Sequence, residues 1–309
     1  MVRHAIESVR AQRYPAYEHW IVDGGSSDGT LDIVNEYPDL KLLRGPDRNL
    51  YDAINKGIRA ATGDFIVLLN SDDLLMPGAL EAIAAAYTRE PTADGFCGAA
   101  LVVDAARPNL VIAAYTENAV KVPGLSYIVS GPTLLNARVL RKDVYAWIGM
   151  FDDRFRITAD QEFLIRARLA GIILRPVDAF VYCYRAHGNS LTLGSPEGHH
   201  ESLVEAELIA RTRIAEEQNF RRRLGYRTWH GWACGYLAAK RALAGDLRGA
   251  WKTAARGFAS NPVWPCWFAK IFAYKLLRKV QGPFGRSDRG MAAAAALTRQ
   301  VERLASQAV

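Results

Sequence analysis

The sequence predicts an α/β fold, with a mostly parallel, mixed sheet flanked by helices and a helical C-terminal tail. Up to about residue 95, short apolar runs alternate with helix-like segments. This alternation is typical of βαβ units and therefore of parallel strands. From about residue 200 onward the pattern is helical.

Strand and helix candidates alternate along the first part of the chain. A helix-like start, "HAIESVRAQ", precedes the predicted strands "YEHWIVDG", "LKLLRG" and "DFIVLLN", the last of which we expect to be fully buried. The helices predicted after these strands are "SSDGTLDIVNEY", "NLYDAINKGIRAATG" and "PGALEAIAAAYTRE". We expect Ser26 or Ser27 to cap the first helix, Gly63 to end the second and Pro77 to begin the third.

The pairing pattern changes after residue 95. Only a turn-like "AARP" separates the strand candidates "GFCGAALVVD" and "NLVIAAY", which predicts antiparallel or mixed pairing. Two helices follow, "RKDVYAWIG" and "DQEFLIRARLAG", and "AFVYCYRAHGNSLT" is a last strand that continues into a loop.

The four cysteines form no CxxC pair and have no spacing suited to zinc. This pattern is typical of buried thiols in a reducing compartment. No run approaches the roughly 20 uncharged apolar residues of a membrane-spanning helix, and we find no signal-peptide pattern. We therefore expect a cytoplasmic protein.

The charge is distributed unevenly. Residues 1–210 hold 20 Lys/Arg and 27 Asp/Glu, whereas residues 211–309 hold 19 Lys/Arg and 5 Asp/Glu. In "NPVWPCWFAKIFAYKLLRKVQG", aromatic residues such as Trp264 and Trp267 alternate with cations such as Lys270 and Lys275. This mixture suits an anionic membrane surface. We therefore expect the tail to associate peripherally with the inner face of the cell membrane. The alternative is a soluble helical cap whose aromatic side chains pack on the preceding domain.

Acidic residues follow two of the predicted strands. Asp23 ends one strand and precedes Gly24 and Gly25, and the adjacent Asp72 and Asp73 follow another. Ligands of open α/β sheets bind beyond the carboxyl ends of the strands. Adjacent carboxylates repel each other unless a cation offsets the repulsion, and Mg²⁺ or Mn²⁺ prefers such oxygens. The pair therefore predicts a metal–nucleotide site. The alternative is a turn residue or a helix cap for Asp23, and a helix cap for the pair.

A further acid, Asp160, lies at or near the start of the helix in "FRITADQEFLIRARLAG". A helix N-terminus favours an ionised carboxylate. Asp160 is therefore a candidate general base that faces the cleft, and a plain N-cap is the alternative.

Four segments together resemble the family 2 glycosyltransferases, which have the GT-A fold, and most of all the bacterial members that build surface polysaccharides. The segments are "IVDGGSSDGT", "PDRNLYDAINKGIRAATGD", "LLNSDDLLMPGAL" and "TADQEFLIR", and the similarity covers roughly residues 2–193. Their order makes the resemblance specific, whereas each motif alone is weak. The resemblance implies a GT-A domain over residues 1–198, followed by a helical, basic and aromatic tail over residues 199–309.

The resemblance also implies roles for individual residues. Asp23 and Asp72 would contact the nucleotide, Asp73 would bind the metal and Asp160 would be the catalytic base. Three weaker candidates complete the implied site: Arg48 and Asn55 on the nucleotide side, and His187, which joins the metal or the phosphates or is a lone surface histidine.

The chain departs from the family in several places. The family opens with an apolar strand that forms the floor of the nucleotide pocket, and we expect that strand to be missing here. The second acid that many members carry after the next strand is replaced by Gly24. The QxxRW motif of processive synthases is absent, which argues against a polymerising enzyme. "GPT" at residues 131–133 stands where family members often have a His-Gln pair near the acceptor. The sequence therefore leaves the identity of the acceptor open.

Two functions follow as hypotheses. The first is an inverting, metal-dependent hexosyltransferase that uses a nucleotide-diphosphosugar donor and a glycan or lipid-linked acceptor. The second is a catalytically inactive GT-A-like nucleotide-binding or scaffold protein. A sugar-phosphate nucleotidyltransferase would need an N-terminal GxGxR loop and a P-loop enzyme a GxxxxGK[ST] motif, and neither occurs. The basic tail shows no recognised nucleic-acid-binding motif.

Overall fold

The computed structural model describes residues 1–116, 124–130, 134–188, 190, 196–263, 265–266 and 269. The predicted membrane-binding segment lies largely outside these residues, as does the "GPT" stretch. Within the described part of the chain, no helix combines the length and apolar character needed to cross a bilayer.

Strands and helices alternate as far as residue 90, except that two short strands follow each other at residues 65–66 and 74–75. The strands are β1 (Trp20–Asp23), β2 (Lys41–Arg44), β3 (Phe65–Ile66), β4 (Leu74–Leu75), β5 (Gly95–Asp104), β6 (Val111–Tyr115), β7 (Arg138–Arg141) and β8 (Leu174–Ala186). The helices are α1 (Val2–Arg10), α2 (Thr30–Asn35), α3 (Leu50–Ala60), α4 (Ala79–Arg89), α5 (Leu125–Ser130), α6 (Lys142–Ile148), α7 (Ala159–Leu169), α8 (Pro196–Glu216), α9 (Phe220–Leu243) and α10 (Leu247–Ser260).

The described strands form two sheets. β1 and β2 pair in parallel, and the larger sheet has the order β3-β7-β5-β8-β4, with β6 also paired to β5. β5 and β8 are parallel, whereas the pairs β3–β7, β4–β8, β5–β6 and β5–β7 are antiparallel. β8 approaches β5 so closely at Gly98 that a Cβ there would lie 2.4 Å from a methyl carbon of Val181.

Helices pack on both sheets, which confirms the mixed sheet flanked by helices. α3 packs on β1, α1 on β4 and α4 on β8. The antiparallel pairing of β5 with β6 is confirmed by its register, in which Leu101 lies opposite Ala114.

Several local predictions were wrong. The run from Phe65 to Leu69 is a strand only over Phe65–Ile66. These two residues pair with β7, whereas the residues that follow them line a cavity. The N-cap of α2 is Gly29, whose φ of 81° lies in the left-handed region that glycine tolerates. The C-cap of α3 is Ala61, two residues before the predicted Gly63.

The C-terminal helices share a hydrophobic core with the sheet domain. Phe163 of α7, Ile209 of α8 and Trp229 of α9 are buried in one cluster. This cluster crosses the boundary predicted at residues 198 and 199. The division of the chain into two domains stays a prediction.

A buried ion-pair network joins α7 to α8. Glu162 is fully buried, and its carboxylate accepts hydrogen bonds from Arg166 Nη2 at 3.0 Å and from Arg213 Nε at 2.9 Å. Arg213 also reaches Asp152, with Nη2 and Oδ2 2.9 Å apart. Two guanidinium groups therefore depend on one buried carboxylate.

We expect Glu162→Ala to lower the free energy of unfolding by about 3–5 kcal/mol, because it leaves two partly buried cations without their shared anion. Chemical denaturation of both proteins measures this difference. Glu36→Ala is the control, since Glu36 pairs with Arg3 at the surface and is half exposed. Exposed ion pairs contribute little, so the control should unfold close to wild type. Equal losses in both variants would contradict a stabilising role of the network.

Candidate functional site

Three of the predicted acids lie around one cavity. The cavity has a volume of about 1500 Å³ and lies between the two sheets, since residues of β1 and β3 line it. Asp23, Asp72 and Asp160 are all in its lining. The acids come from positions far apart in the sequence, and the strand ends and the start of α7 bring them to this cavity.

Asp23 is held at the end of β1 by the turn that follows it. Its Oδ1 accepts hydrogen bonds from the backbone N–H groups of Gly25 and Ser26, each at 3.1 Å. These bonds, together with the Ser26 hydroxyl and the nearby Arg44, hold the pKa of Asp23 below its usual value. Asp23 is therefore an ionised carboxylate at the edge of the cavity.

Asp72 lines the cavity and pairs with His187, which is outside the lining. Asp72 Oδ2 lies 3.0 Å from His187 Nε2, and the Asp72 side chain is 36% exposed. His187 follows the end of β8, so the pair joins the loop after β3 to the loop after β8. A carboxylate oxygen and an imidazole nitrogen at this separation can bind one divalent ion together.

Asp73 occupies a different environment from its neighbour. It is 1% exposed, and its Oδ1 accepts the backbone N–H of Arg185 at 2.8 Å. Its Oδ2 accepts hydrogen bonds from Asn70 Nδ2 at 3.1 Å and from the Tyr182 hydroxyl. Burial raises the pKa of Asp73 to about 6, to which the adjacent Asp72 contributes.

This environment differs from the one expected of a metal ligand. Three protein donors already occupy the Asp73 carboxylate, and the cavity lining includes Asp72 but not Asp73. The geometry therefore does not favour Asp73 as a direct metal ligand, because the strand β8 covers it. The hydrogen bonds indicate that Asp73 holds the loop after β3 against β8.

Arg185 secures the same loop from the other side. Its guanidinium donates to the backbone carbonyl of Asp72, and Nη1 lies 3.2 Å from His4 Nδ1. Nη2 donates to the carbonyl of Met1 at 3.3 Å. Arg185 is 6% exposed, so it links the start of α1, the acidic loop and β8 inside the protein.

Asp160 is the second residue of α7. The N-cap is Thr158, whose side chain makes no capping hydrogen bond, so the geometry does not favour the alternative that Asp160 is a plain N-cap. Asp160 Oδ1 accepts the N–H of Gln161 at 2.7 Å. The side chain is only partly buried and lines the cavity.

Glu205 of α8 positions the segment that leads into α7. Its carboxylate accepts the backbone N–H groups of Arg156, Ile157 and Thr158, each at 2.7 Å. The Thr158 hydroxyl donates to the same carboxylate at 2.9 Å. Glu205 therefore holds the three residues that lead directly into α7, the helix that carries Asp160.

The structure does not bring Arg48 and Asn55 to the cavity. Arg48 is an exposed side chain that pairs with Asp153 and, at 3.6 Å, with Asp52. Asn55 is 3% exposed, and its amide exchanges hydrogen bonds with the backbone of Phe151 at 2.8 and 3.1 Å. Because these partners satisfy Asn55, it fastens α3 to the segment before α7.

Sequence reasoning missed Arg185, Tyr182 and Glu205. A signal existed for Arg185, which is a charged residue within a buried apolar strand and lies two positions before His187. Glu205 gave no local signal, because its partners lie 47–49 positions away.

The N-terminal region is similar to known glycosyltransferases. The family model described as "Glycosyl transferase family 2" matches residues 1–129. The PGL/p-HBAD biosynthesis glycosyltransferase Rv2957 of Mycobacterium tuberculosis is 26% identical over 213 residues, which are 67% of this chain and 76% of that protein. The uncharacterized glycosyltransferase Rv1514c of the same organism is 32% identical over 178 residues, which are 54% of this chain and 64% of that protein.

Among solved structures, a match is found to S. aureus TarS 1-349 in complex with UDP-GlcNAc. It superposes with a TM-score of 0.49 at 17% identity, covering 82% of this chain and 86% of that chain. The match of a longer TarS structure covers 41% of that chain. The observed mixed sheet flanked by helices is the GT-A type of architecture that the sequence resemblance implies. The N-terminal region, over residues 1–129, is similar to glycosyl transferase family 2.

Proposed function

We propose that the protein transfers a sugar from a nucleotide-diphosphosugar to an acceptor hydroxyl, with inversion at the anomeric carbon. The observation that carries the proposal is the convergence of Asp72, paired with His187, and of Asp160 on one cavity. One side of that cavity offers metal ligands for a diphosphate, and another offers a base. The match of residues 1–129 to the family model and the names of the glycosyltransferase relatives support the transferase activity.

Asp72 and His187 fit a divalent cation, and Mg²⁺ or Mn²⁺ is the proposed ion. One is a partly exposed carboxylate and the other an imidazole, with their facing atoms 3.0 Å apart. Neither Asp73 nor Arg185 adds a free ligand, since both are engaged in holding the loop. When bound, such an ion would neutralise charge on the diphosphate leaving group.

In this proposal, Asp23 acts on the donor and Asp160 acts on the acceptor. Asp23 accepts a hydrogen bond from the nucleotide through lone pairs that its own turn leaves available. Asp160 accepts the proton of the acceptor hydroxyl, and the oxygen then attacks the anomeric carbon. The bond from that carbon to the diphosphate oxygen breaks, and the electron pair leaves with the diphosphate. A single displacement of this kind inverts the configuration.

The biological setting is proposed from the family resemblance and the tail sequence. Glycans or lipid-linked sugars are the proposed acceptors, in the synthesis of bacterial surface polysaccharide. The basic, aromatic segment after residue 263 would hold the enzyme at the anionic inner face of the cell membrane. Both proposals concern the whole protein.

A panel of nucleotide-sugars tests the function against the alternative of an inactive binding protein. The purified chain is incubated with each donor, with and without Mn²⁺, while thermal shift reports binding and nucleotide release reports hydrolysis. We expect one donor class to stabilise the protein only with the metal and to be slowly hydrolysed. Binding without hydrolysis or transfer to any acceptor would favour the scaffold, and no binding would overturn both.

A further inference from the structure

A second cluster of metal-binding side chains lies between α8 and α9, outside the lining of the catalytic cavity. Its members are Glu207 on α8 and His230 and Cys234 on α9. All three are buried, at 8%, 5% and 0% exposure. His230 and Cys234 are four residues apart on one helix, so their side chains share a face, and that face meets Glu207 across the helix pair.

The three ligand atoms lie within 4.8 Å of one another. His230 Nε2 lies 3.3 Å from Glu207 Oε1 and 3.7 Å from Cys234 Sγ. Zinc binds oxygen and nitrogen at about 2.0–2.1 Å and sulfur at about 2.3 Å in tetrahedral geometry. Those bond lengths place an oxygen–nitrogen pair about 3.4 Å apart and a nitrogen–sulfur pair about 3.6 Å apart. The nitrogen–oxygen and nitrogen–sulfur separations are close to these values. Cys234 Sγ also lies 3.9 Å from His230 Nδ1, so the His230 ring would turn to direct Nε2 at the ion.

The charges at the cluster also suit a divalent ion. One carboxylate and one thiolate would balance Zn²⁺, and the imidazole would stay neutral. The opposing cations are Arg256 of α10, whose Nη1 lies 3.8 Å from Glu207 Oε1, and the more distant Arg211. The Arg256 side chain is 49% exposed and can turn toward solvent. Without a metal, burial raises the pKa of Cys234 to about 12, so ion binding would release the thiol proton to solvent.

We propose that Glu207, His230 and Cys234 bind a zinc-type divalent cation that ties α8 to α9. The ion would take His230 Nε2, one Glu207 oxygen and the Cys234 thiolate, with a water in the fourth position. The same helix α8 carries Glu205, which positions the segment before Asp160. The ion would therefore fix the position of a helix that supports the catalytic cavity. Its binding would not depend on the sugar donor or on the proposed Asp72–His187 ion.

Cobalt substitution tests this site directly. The metal-stripped full chain is titrated with Co²⁺, and a cysteinate-to-cobalt charge-transfer band is monitored in the near ultraviolet. The band requires sulfur, so an ion at Asp72 and His187 does not produce it. We expect one equivalent of Co²⁺ to produce the band and Zn²⁺ to remove it.

Two cysteine variants make the assignment specific. Cys234→Ser should lose the band, whereas Cys266→Ser, which alters an exposed thiol, should keep it. If Cys234→Ser does not fold, X-ray absorption of the wild-type chain with one equivalent of Zn²⁺ decides, and one sulfur at about 2.3 Å is expected. No band, a band that survives Cys234→Ser, or a zinc shell without sulfur would each show a hydrogen-bonded triad that binds no metal.

Discussion

Asp160→Asn is expected to lower the rate of sugar transfer by about 10²–10⁴-fold, which is the usual contribution of a general base. Asparagine keeps the size of the side chain but cannot accept the acceptor's proton. Donor affinity should be unchanged, because the proposed contacts of the nucleotide are with Asp23 and Asp72. Single-turnover transfer rates and calorimetric donor affinity, measured on the same preparation, separate the two effects.

The structure supplies a matched control for this substitution. Asp143 is also an acid in the first turn of a helix, α6, and its side chain is 66% exposed and paired with Arg141. Asp143→Asn should leave the transfer rate close to wild type. If Asp160 only stabilised the start of α7, both variants would retain activity, and Asp160 would no longer be a candidate base.

Local periodicity was enough to predict much of the fold. The apolar runs that became β1, β2 and β5, and the helical stripes of α3 and α7, depend on neighbouring residues alone. The sequence could not predict β4, a two-residue strand, because it forms only by pairing with Cys183 and Tyr182 of β8. The strand predicted from the sequence is also longer than the observed β3, because the length of a strand depends on which neighbouring strands pair with it.

The site could be predicted by composition but not by orientation. Paired acids after an apolar strand indicated a metal site, and the structure places Asp72 at a cavity with a histidine. Which acid turns inward depends on Tyr182 and Arg185, more than 100 positions along the chain. Asn55 illustrates the same limit, since its amide is used by Phe151, 96 positions away.

Substitutions at the two adjacent acids are expected to have different effects. Asp72→Asn should weaken metal-dependent donor binding by at least about 10–100-fold, the loss that follows removal of even an outer partner of a metal ligand. Because Asp72 is partly exposed, the variant should unfold like wild type. Asp73→Asn should instead lower the free energy of unfolding by about 1–3 kcal/mol, since an amide nitrogen cannot accept the hydrogen bonds that a buried carboxylate oxygen accepts.

The two variants carry the same chemical change at neighbouring positions, so each is the control for the other. Calorimetric titration of donor at several Mn²⁺ concentrations measures metal dependence, and chemical denaturation measures stability. Asp73→Asn should keep its metal dependence, because Asp72 still lines the cavity and pairs with His187. The opposite result, in which Asp73→Asn loses metal dependence while Asp72→Asn keeps it, would restore Asp73 as the ligand. That outcome would require the loop that carries the two acids to leave β8 when the donor binds. The hydrogen bonds that Tyr182 and Arg185 donate to the buried Asp73 carboxylate would then break.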